Sequence, residues 1–112
     1  MSLEDRPPRL RWPRSQRFLL SPKGGEAEAS YRTLIVASRQ QEGRASFEAA
    51  RATWAGQYAV QADDGLYLQE IATKPQNMTQ LTTALEVCGK RRVDTIEALG
   101  RLFDAGLIST AP

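Results

Sequence analysis

The sequence predicts a mainly α fold with a few short strands, its C-terminal part a three-helix helix-turn-helix. Three observations predict it. Between Leu66 and Ile108 three successive runs carry apolar residues at helical spacing. The second and third runs meet at Gly89, a residue able to adopt positive φ at a helix end, so a tight turn joins the two helices. The third run closes at Gly106, after which Leu107-Ile108 can enter a short strand or pack back on the core.

Taken in order, residues 1–25 read as a basic, proline-rich arm. Arg6, Arg9, Arg11, Arg14, Arg17 and Lys23 stand against Glu4 and Asp5, so residues 1–23 carry +4 and the remainder carries −2. Pro7, Pro8, Pro13 and Pro22 favour extended or irregular chain. Arg17–Leu20 can be a short strand, and Lys23-Gly24-Gly25 reads as a linker or turn. Residues 26–62 read as a helical or mixed region. Tyr31, Leu34 and Ile35 lie at near-helical spacing, although the centre of this stretch is rich enough in β-formers to be a strand. Helix is favoured because Ala27, Glu28 and Ala29 lead in and Arg39-Gln40-Gln41-Glu42 follow. Gly43 breaks the run. Ser46 can cap a second helix with Phe47, Ala50 and Trp54 on one face, ending near Gly56, before a short strand at Tyr58-Ala59-Val60.

Residues 63–112 hold the helix-turn-helix. Asp64 can cap a first helix carrying Tyr67, Leu68, Ile71 and Ala72, with Pro75 just past its end. Thr79 can cap the second, whose face is Leu81, Ala84, Leu85 and Cys88. The third carries Val93, Ile96, Leu99, Leu102 and Phe103. The expected core is Leu68, Ile71, Leu81, Leu85, Ile96, Leu99 and Phe103, with Cys88 a small buried residue.

This part resembles the winged-helix superfamily of bacterial DNA-binding regulators. Leu68–Pro75 is similar to the end of the superfamily's first helix and its proline turn, and Thr79–Leu85 to its second helix. The ending Leu99-Gly100-Arg101-Leu102-Phe103-Asp104-Ala105-Gly106-Leu107-Ile108 is similar to the close of its recognition helix. There is one departure. Only Ser109–Pro112 follow, too few for a two-stranded wing, so either the wing is absent or a strand from the N-terminal half completes the sheet.

Composition narrows the function classes. The chain has 112 residues, 41% hydrophobic and 25% charged, as folded globular chains do. No apolar run approaches the ~20 residues that cross a membrane, and no signal-type segment opens the chain. A single cysteine makes no internal disulfide and suits a reducing compartment, so a cytoplasmic protein is expected. Without histidine the usual zinc set is missing. Asp63-Asp64-Gly65 reads as a turn and helix cap rather than a metal loop. Neither a cofactor nor a metal is expected. Serine and threonine have no histidine to act as base, so an enzyme is not expected.

The resemblance implies a small DNA-binding protein, a transcriptional regulator, whose second helix of the pair enters the major groove. That helix opens with Lys90, Arg91 and Arg92, with Asp94, Thr95, Ala98 and Arg101 expected on its exposed side. The expected DNA-contacting set is therefore Lys90, Arg91, Arg92, Thr95 and Arg101, with Arg9, Arg11 and Arg14 from the arm on phosphates. Against it, Asp94 and Glu97 share the helix, and residues 66–112 carry five basic and five acidic side chains. The alternative is a winged-helix-like protein–protein interaction module in a larger assembly, anchored through Trp54, Tyr58 or Trp12. Tyr31, Leu34, Ile35, Phe47 and Trp54 further suggest a homodimer through residues 26–60.

Overall fold

The computed structural model describes residues 12, 13, 15–40 and 44–111. It is mainly helical with a small three-stranded sheet. The elements run β1 (Arg17–Leu20), α1 (Pro22–Gln40), α2 (Arg44–Tyr58), α3 (Asp64–Thr73), β2 (Gln76–Asn77), α4 (Met78–Leu85), α5 (Arg92–Asp104) and β3 (Ile108–Ala111). A single 3-10 turn at Glu86–Cys88 separates α4 from α5.

The sheet is built from both halves of the chain. Its order is β2-β1-β3, antiparallel throughout, with Arg17 opposite Asn77 and Ala111, and Leu20 opposite Ile108. A strand from the N-terminal half thus lies in the middle of the sheet. Phe18 on that strand is fully buried, which ties residues 17–20 into the core.

The helix α1 starts earlier than expected. Ser21 Oγ accepts the Gly24 N–H at 3.0 Å, so Ser21 caps the helix, and Pro22 takes the first helical position, where its missing N–H costs nothing. Lys23-Gly24-Gly25 is therefore the first turn of α1 and not a linker. Gly24 is required by close approach: a Cβ there would stand 1.7 Å from the Leu107 carbonyl oxygen. The Ser21 N–H donates to that same oxygen at 3.0 Å, so the start of α1 is pinned to the turn before β3.

Three helix ends share one closure. Ala59, Gly89 and Gly106 have φ of 58°, 80° and 77°, and the next residue's N–H returns five positions, Val60 to Ala55, Lys90 to Leu85 and Leu107 to Leu102. The strand expected at Tyr58–Val60 is absent for this reason. Tyr58 is the last helical residue, and Ala59 and Val60 close the end of α2.

All three expected caps move. α2 begins at Arg44, so Ser46 lies inside the helix. The α4 cap is Asn77, not Thr79: Asn77 Oδ1 accepts the Gln80 N–H and Gln80 Oε1 accepts the Asn77 N–H, both at 2.9 Å. The α3 cap position is Asp63, and Asp64 is the first helical residue.

In the core, Tyr31 packs against Trp54 with ring centroids 4.8 Å apart, and Trp54 against Tyr58 at 5.7 Å. The Trp54 indole N–H donates to the Ala27 carbonyl at 3.0 Å. Of the expected core, Leu68, Ile71, Leu81, Leu85 and Leu99 are buried and Ile96 is partly buried. Phe103 is 43% and Val93 47% exposed. The helix α5 is turned so that Thr95, Ala98, Leu99 and Leu102 face inward instead. Cys88 is exposed as well. The 3-10 turn advances three residues per turn, which carries position 88 out of line with Leu81 and Leu85.

Candidate functional site

The start of α5 is built by carboxylates as much as by cations. Arg91 occupies the cap position, and its backbone N–H donates to Asp94 Oδ2 at 2.8 Å. That hydrogen bond holds the Asp94 carboxyl below the usual carboxylate range. Arg91 Nε stands 3.5 Å from the same oxygen. Lys90 Nζ donates to Asp63 Oδ2 at 2.7 Å. The other Asp63 oxygen takes the Arg51 guanidinium from α2. The Lys90 hydrogen bond, helped by Arg51, lowers the Asp63 pKa against the opposing effect of burial. Further along α5, Arg101 Nε and Nη2 grip both oxygens of Asp64 at 2.8 Å each, and Asp64 also accepts the Gln61 N–H at 2.9 Å. The Asp64 side chain is 1% exposed. Asp63, Asp64, Lys90, Asp94 and Arg101, with Gln61, Tyr67 and Glu97, border a polar cleft of about 200 Å³.

The residues of the expected DNA-contacting set stand in different surroundings. Lys90 is engaged by Asp63 and Arg101 by Asp64. Thr95, expected to be exposed, is 0% exposed, and its hydroxyl bonds the Tyr67 hydroxyl at 3.1 Å and the Arg91 carbonyl at 3.3 Å. Both partners let α5 bury a hydroxyl at no net loss of hydrogen bonding, so the helix rotates it inward. Ala98 is buried beside it. Arg91 remains 78% exposed, and Arg92 is exposed with no ion pair among the described residues. Arg9, Arg11 and Arg14 lie outside the described residues.

Beside Arg92, the outward face of α5 carries Val93, Glu97, Phe103 and Asp104, and the turn before it presents Val87 at 90% exposure. Trp54 and Tyr58 are buried inside the chain and cannot anchor a partner. Trp12 is half-buried, its ring 4.9 Å from Phe18 and 5.7 Å from Phe103. Sequence reasoning missed Val87 and the role of Asp63 as a hub between α2 and α5. The one available signal was the pair of adjacent carboxylates Asp63-Asp64 at a helix start.

No family model, curated protein or solved structure matches this chain. No helix among the described residues is long and apolar enough to cross a membrane.

The Asp63 hub has a pH signature. Its carboxyl binds a proton less readily folded than unfolded. Its contribution to stability is therefore present above about pH 4 and lost as pH falls through the lowered folded value. Asp63→Asn should remove that part of the acid limb, so the fall in Tm on acidification becomes shallower than in the wild type. Parallel acid limbs in thermal melts would show that the hub contributes nothing.

Proposed function

We propose that the chain is a protein–protein interaction module in which the helix-turn-helix is scaffold and docking face rather than a reader of DNA. The observation that carries this reading is what α5 presents outward. Val93 and Glu97 stand on its exposed side, while Lys90 and Arg101 are held by Asp63 and Asp64. A helix lying in a major groove is flanked by phosphates, which attract unpaired cations and repel carboxylates. An exposed valine on such a face, with Val87 on the turn before it, gains from an apolar protein surface. DNA binding retains Arg91 and Arg92 from this unit, together with the basic arm.

Fluorescence anisotropy with a labelled mixed-sequence duplex tests the choice. Between about 50 and 200 mM salt the wild type should show no salt-sensitive binding. The reading is overturned by an affinity that falls with a log–log slope of about −3 and is lost in the Lys90→Ala, Arg91→Ala, Arg92→Ala triple variant. A homodimer through α1 and α2 remains part of the proposal on a narrower footing. Tyr31 and Trp54 are covered within one chain, and among the described residues of those helices Val36 is the large apolar side chain left exposed. Light scattering that finds only monomer at micromolar concentration removes it.

A further inference from the structure

Gly100 sits at the middle of the outward face of α5. It is buried, although Glu97, Phe103 and Asp104, its neighbours three and four positions away along the helix, are exposed. A glycine inside a helix weakens it relative to alanine, and what it offers in return is close approach of a second backbone. The chain's own N-terminal part arrives at this face. The Trp12 ring stands 5.7 Å from that of Phe103. Ahead of Trp12 come residues 1–11, which carry Arg6, Arg9 and Arg11 against Glu4 and Asp5 and lie outside the described residues.

Charge and spacing match between the two. Arg11 adjoins Trp12 as Asp104 adjoins Phe103. Arg9 is three residues ahead of Trp12, about 9 Å in the polyproline-type chain that Pro7-Pro8 favour. Glu97 is six residues before Phe103, also about 9 Å along the helix axis. The same direction would carry Glu4 and Asp5 towards exposed Arg91 and Arg92 at the start of α5. We propose that residues 1–11 dock in cis along the outward face of α5, held by Arg11 on Asp104 and Arg9 on Glu97, with the arm backbone passing over Gly100. Each exposed ion pair is weak, but the anchor at Trp12 makes the encounter intramolecular. The arm thereby covers the face that a protein partner takes, and the partner displaces it. That regulatory part rests on the proposed function, whereas the docking does not.

Zero-length carbodiimide coupling of the full chain tests the docking, with Arg9→Lys and Arg11→Lys supplying amines at unchanged charge. Lys90 and Asp63, 2.7 Å apart, form the internal standard for an ammonium and carboxylate in contact. Peptide mapping of the monomer band should find amide links from position 9 to Glu97 and from position 11 to Asp104. In about 1 M salt, where the screening length falls to about 3 Å, those links should be suppressed. Links from these positions to other carboxylates only, or none beside a formed Lys90–Asp63 link, overturn the inference. Links confined to covalent dimers put the arm on a second copy and overturn it as well. For the covering role, Arg9→Gln with Arg11→Gln should raise protein capture by a photo-crosslinking residue at position 93 about two-fold or more. Unchanged capture overturns that role. Failure of the proposed function reads differently: a position-93 adduct that nuclease removes, with the links from 9 and 11 still formed.

Discussion

Replacing Arg101 with alanine is expected to cost about 3–5 kcal/mol, because it leaves a buried carboxylate without its cation. Asp64 is 1% exposed and is gripped by two Arg101 nitrogens at 2.8 Å. Only the Gln61 N–H would remain to it. For a chain of this size the total is about 5–15 kcal/mol, so the loss consumes a large share of it. At roughly 4–8 °C per kcal/mol the melting temperature should fall by more than about 12 °C. Arg101→Lys should recover only part, since an ammonium cannot span both carboxylate oxygens. Urea melts that place Arg101→Ala within about 1 kcal/mol of wild type would mean that Asp64 finds water or another donor.

Leu99→Ala is the second large effect, at about 2–5 kcal/mol. Leu99 is fully buried on α5, a helix that packs against α3 and α4, so a missing side chain leaves a cavity. Val93→Ala, six positions earlier on the same helix, should stay within about 0.5 kcal/mol, because that residue is 47% exposed. The pair is informative because both residues sit on one periodic stripe in sequence. Equal costs would mean that α5 is rotated from the orientation described.

That contrast also shows what the sequence could and could not carry. Mainly helical character, the helix-turn-helix and the strand at residues 17–20 were legible, because apolar spacing and the glycines at 89 and 106 are local signals. The orientation of α5 was not. Val93, Ile96, Leu99 and Phe103 recur as a core face should, yet Val93 and Phe103 are left largely outside while Thr95 turns inward, where Tyr67, distant in sequence, supplies a hydroxyl partner. Gly24 misled for a related reason: read locally it marks a turn, but it serves a contact with Leu107. The ion pairs that engage Lys90 and Arg101 join residues 27 and 37 positions apart, a separation no local pattern encodes.

The central claim is that the outward face of α5 meets protein. It is tested most directly by placing a photo-crosslinking residue at position 93 of the full chain in the cells that make it. The account expects an adduct that resists nuclease and is destroyed by protease. An adduct from position 93 that nuclease removes would place the same face on nucleic acid and contradict the account.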